Sequence, residues 1–190
     1  MSPSAPTPTV TSPASAVSEG SDLRNLYAVR CAFALVWAAL LAASAASLNP
    51  LSVTLLVLYP LFDLGAAVYD FRSPSNSRAR GALAINMALS TVAAIGLAVA
   101  AGSEIPDVLR VWGAWAITAG LVQLVVAVRR RHLGGQWPLI LSGGISVLAG
   151  ASFWSMASGD DPAITALAGY AALGGTFFAL AAFRLRRVLV

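Results

Sequence analysis

The stretch from Tyr27 to Tyr69, YAVRCAFALVWAALLAASAASLNPLSVTLLVLYPLFDLGAAVY, decides the fold. It holds two apolar runs, Tyr27 to Leu48 and Leu51 to Tyr69, each close to the roughly 20 residues that a helix rising 1.5 Å per residue needs to cross a hydrocarbon layer. Asn49-Pro50 leaves room only for a turn, so the pair predicts a transmembrane helical hairpin. Further apolar runs follow from Gly81 to Ala101, Val108 to Val128, Trp137 to Ala157 and Ala163 to Phe183. The expected fold class is all-α, a polytopic membrane bundle of six helices in three hairpins, at about 24–72, 78–131 and 135–187.

Composition agrees with this reading. Of the 190 residues, 58% are hydrophobic and 11% are charged, against about 25% charged in soluble domains. With a mean hydropathy of +0.77, the chain cannot cover itself with a polar skin, so hydrocarbon must cover much of its exterior. Residues 1–23 are rich in Pro, Ser, Thr and Ala and read as a disordered cytoplasmic tail that buries too little apolar surface to order itself.

The hairpins look like copies of one unit. The turn prolines Pro50, Pro106 and Pro162 recur at a spacing of 56, and twenty residues before them stand the polar residues Arg30, Asn86 and Ser142. Arg72, Arg129 and Arg184 close the second helices, and nine residues before each lie Asp63, Gly120 and Gly175. Small-residue ladders (Ala38, Ala42, Ala46; Ser142, Ser146, Gly150; Ala171, Gly175, Ala179) predict close helix packing.

All twelve cations are arginines; only Arg110 falls at the end that carries Glu104, Asp107, Asp160 and Asp161. Arginine retention on the cytoplasmic side therefore predicts two cytoplasmic termini; the localisation expected for the chain is a bacterial cytoplasmic membrane. The run Arg129 to Arg131 with His132 is expected at anionic lipid headgroups. Tyr27, Tyr69, Phe71 and Trp137 are placed in an inner aromatic belt, and Trp112 and Trp154 in an outer one.

Residues with the opening pattern QWPLILSGGISVLAG (Gln136 to Gly150) and the closing pattern GYAALGGTFFALAAFRLRR (Gly169 to Arg187), together with the Asn49-Pro50 turn, resemble the HdeD-like acid-resistance membrane proteins. That resemblance implies six inner-membrane helices and a non-catalytic role in the membrane or in stress response, with no active-site motif to carry over. The chain departs from the pattern at Asp63, which stands at a glycine position, at the preceding Tyr59-Pro60, and in its extra N-terminal tail.

Asp63 is the acid that calls for explanation, about 20 Å and 13 Å along its helix from the two ends. An acid at that depth must face other helices. Three readings stand: a protonated structural hydrogen bond to Asn86, Ser90 or Gln123; a proton or cation site of a transporter; or a general acid acting on a polyprenyl or other lipophilic small molecule, with Tyr59, Phe62, Trp37 and Trp115 as stabilising faces. Pro60 is expected to free the carbonyl of Leu56 and to kink the helix beside the acid. Arg30 is expected to snorkel to the headgroups.

Other chemistries lack their parts. The single cysteine, Cys31, and single histidine, His132, make no metal-ligand spacing, so no metal or cofactor is expected. Gly143-Gly144 and Gly174-Gly175 lie in apolar spans without a phosphate-cradling context, and with the aromatics in the membrane no nucleic-acid partner is expected. The expected partners are the bilayer, its anionic headgroups and a lipophilic small molecule; the oligomeric state is not encoded in these patterns.

Overall fold

The computed structural model describes residues 13–73 and 79–188, with side chains over 20–73 and 79–185. Among the described residues there are six long α-helices and no strand: α1 (Pro13–Ser44), α2 (Pro50–Arg72), α3 (Arg80–Ala100), α4 (Ile105–Arg129), α5 (Trp137–Met156) and α6 (Thr165–Val188), with a short 3₁₀ turn at Arg131–Leu133 between α4 and α5. Each helix is long and apolar enough to cross a membrane. Large apolar side chains such as Val92, Val99 and Leu148 point outward, about 70% exposed, as a lipid-facing surface requires.

Helix ends inside or near hydrocarbon need partners for their orphan backbone groups. Asn49 meets this need for two helices at once. Its side-chain oxygen accepts from the amides of Leu51 and Ser52, both at 3.0 Å, while its Nδ2 donates to the Ser44 carbonyl at 2.6 Å. Ser52 completes the capping box by accepting from the Asn49 amide at 2.9 Å. The first hairpin turn is therefore closed by its own side chains.

The N-terminal boundary differs from expectation. α1 starts at Pro13, so 13–23, assigned above to a disordered tail, extend the first helix; 1–12 lie outside the described residues. Pro13 suits a first helical position, and Leu23, at the inner end of this extension, is buried in one cluster with Leu26, Tyr27, Ala181 and Leu185.

The helices form a ring in chain order, and α6 closes it against α1. Contacts are most extensive in α4/α5, α1/α6 and α2/α3, and least extensive in α1/α2 and α5/α6. The hairpins of the sequence are thus not the tightest packing units. Glycine explains the strongest pair: a Cβ on Gly150 would stand 2.5 Å from the Gly113 carbonyl oxygen, and one on Gly143 would stand 2.8 Å from that of Gly120. Two glycine crossings, each two turns apart, bring the α4 and α5 backbones together.

The expected ladders need correction in two places. Ser142, Ser146 and Gly150 are buried as a set, but Ala42 and Ala46 face outward, and α1 packs instead through Ala34, Ala38, Leu41 and Ala45. Ala179 is likewise exposed, while Ala171 and Gly175 are buried, Gly175 against Ala34 and Leu35 of α1.

Gly150→Leu should therefore destabilise the fold by about 3 kcal/mol, because backbone atoms cannot yield to the new side chain. Gly144→Leu, whose Cβ meets nothing within 4 Å, should melt like the wild type. Thermal unfolding in detergent followed by near-UV circular dichroism compares the two.

Candidate functional site

A cavity of about 110 Å³ lies within the ring and is lined by all six helices. Each contributes according to its pattern. α1, α3 and α5 bring Arg30, Asn86 and Ser142, the residues spaced by 56, onto this one cavity. The other three bring aromatic rings: Tyr59 from α2, Trp115 from α4, and Tyr170 and Phe178 from α6.

Asp63 is buried in the cavity wall, 6% exposed. One carboxylate oxygen pairs with the Arg30 guanidinium, and the other accepts from Asn86 Nδ2 at 2.6 Å and Ser90 Oγ at 2.8 Å. Trp115 Nε1 donates to Ser90 Oγ at 3.3 Å and extends the chain of bonds to α4. Asp63 thus accepts from three donors on two helices, where the structural reading foresaw one bond. Gln123 is not among them; its Nε2 donates to the Leu139 carbonyl at 3.0 Å.

Arg30 does not snorkel. It is drawn inward by Asp63 and by the ring of Phe178, whose centroid lies 4.8 Å from the guanidinium carbon. In a medium with no water to solvate either ion, pairing is the low-energy arrangement.

A second buried ion pair escaped the sequence reading. Arg130, expected at the headgroups, is 4% exposed and makes a two-pronged contact with Asp70, at 2.8 and 2.9 Å. Both residues line the arginine-rich end of the cavity. Beside them Tyr27, expected in the aromatic belt, is buried and donates its hydroxyl to Gln136 Oε1 at 3.1 Å. The missed signal was spacing. Asp70 follows Asp63 by seven residues, two helical turns, and so shares its face of α2.

The far end of the cavity is closed by rings. Tyr59 meets Trp37, Trp112 and Trp115 edge to face, with centroids 4.7, 5.6 and 5.9 Å away. Trp112, expected in the outer belt, is fully buried in this cluster, whereas Trp154, Tyr69 and Trp137 are about half exposed as a belt position demands. Trp37 packs behind Tyr59 and donates Nε1 to the Leu55 carbonyl at 2.7 Å, one residue before the carbonyl that Pro60 was expected to free. α2 continues through Pro60 to Arg72. Phe62 turns away from the cavity and stacks on Phe33 at 3.7 Å.

The cavity is therefore charge-balanced, with two arginines matched by two aspartates. Two hydroxyls on its wall, those of Tyr59 and Ser142, have no hydrogen-bond partner among the described residues; Ser146 by contrast accepts from Tyr170 at 3.1 Å. The site can thus offer hydrogen bonds to a neutral polar group within aromatic and aliphatic walls. Among the described residues no cluster of His, Cys, Asp and Glu could hold a metal ion.

These features define a multi-pass membrane protein with an internal, charge-paired cavity. No known protein family, curated protein or solved structure matches the chain.

Asp70→Asn should cost about 3–5 kcal/mol of stability, because it leaves Arg130 buried without its counter-charge. The double variant with Arg130→Gln should recover most of that loss. A double-mutant cycle of thermal unfolding in detergent measures the coupling.

Proposed function

We propose that this is a multi-pass protein of a bacterial cytoplasmic membrane, with both termini cytoplasmic, whose work is to bind a small neutral lipophile in the central cavity. The role is non-catalytic, serving the membrane or the response to stress, in keeping with the resemblance of 136–150 and 169–187 to HdeD-like proteins. One observation carries the reading: the cavity's charges cancel in pairs, Arg30 with Asp63 and Arg130 with Asp70, while the hydroxyls of Tyr59 and Ser142 remain free to bond. An ionic ligand would add an uncompensated charge at low dielectric. A neutral molecule with one hydrogen-bonding group would not.

The size agrees. An apolar cavity of about 150 Å³ admits benzene, so 110 Å³ limits the buried part of a ligand to no more than about one ring or a short branched unit. The arginine-rich ends of the helices would meet anionic headgroups and hold the orientation.

A second reading makes Asp63 a general acid on a lipophilic substrate, and it is supported by the rings of Tyr59, Trp115, Tyr170 and Phe178 on the same cavity. The binding reading ranks first because every partner of Asp63 is a donor, which employs the carboxylate as an acceptor. Proton-linked transport ranks third, supported by the placement of Asp63 and Asp70 two turns apart along one cavity.

Gly174 lines the cavity and a Cβ there meets nothing within 4 Å. Gly174→Leu should fill the space and abolish binding of a neutral lipophile such as a short-chain prenyl alcohol, read by equilibrium binding in detergent, without loss of folding. Asp63→Asn combined with Arg30→Gln, which removes the pair whole and strands no charge, should leave binding within about tenfold of wild type if the protein is a binder, and eliminate product formation if it is an acid catalyst. Fusions of a cytoplasm-only fluorescent reporter to either terminus should fluoresce; a dark fusion would reverse the topology.

A further inference from the structure

A second hollow lies on the outside of the ring, between α1 and α2 at their arginine-rich ends. Its volume is about 450 Å³, and its wall is nearly all apolar, built from Leu26, Val29, Phe62, Gly65 and Tyr69 with Asn25 at the edge. Val29 and Tyr69 are more than half exposed, so the hollow faces the surrounding hydrocarbon. Leu26 lines this groove and the central cavity alike. Leu26 is thus the side chain that the two spaces share.

We infer that the α1/α2 seam is the lateral entry to the cavity, and that the ligand is a lipid with a neutral hydroxyl or carbonyl head, seated with its head inside and its hydrocarbon chain in the groove. This rests on the ligand-binding reading of the cavity. Four observations converge on the occupant. The interior space can take a head and a few carbons but no long chain, so the chain must leave it. The groove adjoining it is apolar and open to lipid. α1/α2 is among the least extensive contacts of the ring, and Gly65, which helps to line the groove, presents open space where a Cβ would stand.

The Arg30–Asp63 pair joins α1 to α2 one turn beyond Leu26 and Ala67. It holds the two helices together on the far side of the passage, while Phe33 stacked on Phe62 secures the outer surface beyond the groove. The proposed passage runs past Leu26, the side chain that both spaces share, one turn away from the Arg30–Asp63 pair.

The test uses the full chain in phospholipid vesicles with two photoreactive long-chain primary alcohols, one carrying a diazirine beside the hydroxyl and one at mid-chain. The first should label cavity peptides of α5 and α6, and the second should label α1 and α2 around Val29 and Phe62. Gly65→Phe, whose ring grows into the groove, should lower both labels by about tenfold while melting like the wild type. Gly169→Phe, equally unobstructed but on the exposed face of α6, should lower neither. If Gly65→Phe leaves the cavity label intact while Gly174→Leu removes it, the lateral entry is wrong and the binding cavity stands. If Gly174→Leu leaves the head-end label intact, the cavity reading falls and the entry falls with it. Equal labelling by a photoreactive alkyl phosphate would overturn the neutral head.

Discussion

A charge cannot be left alone in hydrocarbon, and this constraint organises the interior of the ring. Two arginines and two aspartates line the central cavity, and each meets its opposite: Arg30 with Asp63, Arg130 with Asp70. The pairs cross between helices, α1 to α2 and α2 to α4, so satisfying the charges also arranges the helices. α2 carries both acids on one face and becomes the element around which its neighbours are placed. Breaking a pair strands an ion, whereas replacing both partners with apolar residues need not destabilise the fold. The pairs are thus a demand on geometry more than a source of net stability.

Backbone proximity is achieved by a different means. Where α4 meets α5, glycines at two levels remove side chains altogether and let carbonyl oxygens approach to the distance that a Cβ would occupy. In lipid, where apolar side chains gain nothing by leaving water, such close van der Waals contact is what holds helices together. The seam between α1 and α2 lacks it: Gly65 faces open space, and the contact relies on the ion pair, the Asn49 cap and the stacked rings of Phe33 and Phe62. A ring with one glycine-locked seam and one polar-latched seam has a built-in difference in how its walls can part.

Much of the candidate site was legible in advance, residue by residue. Asp63 stood out because an acid in the middle of an apolar run must face protein, and Asn86, Ser90 and Gln123 were the alternatives for its one bond; Asn86 and Ser90 both take it, and Gln123 does not. Arg30, Asn86 and Ser142 were marked by their common spacing, and all three line the cavity. Tyr59 and Trp115 were named with them, but Phe62 faces the groove, because its position on α2 points to the lipid side. Asp70 and Arg130 were passed over for a physical reason. Near the end of a span, a charge can be satisfied either by headgroups or by another helix, and the linear pattern is the same in both cases.

The amino-acid sequence alone determined that six apolar segments cross a bilayer, where the turns between them fall, and which end gathers the arginines. These follow from local hydropathy, chain length and turn chemistry, which need no knowledge of neighbours. Only the tertiary structure decided that the helices close into a ring, that Arg30 and Arg130 turn inward, and that polar residues from separate helices meet in one cavity. Those outcomes depend on the rotation of each helix about its own axis and on which small residues bring two backbones close, and both are set by packing between segments far apart in the chain.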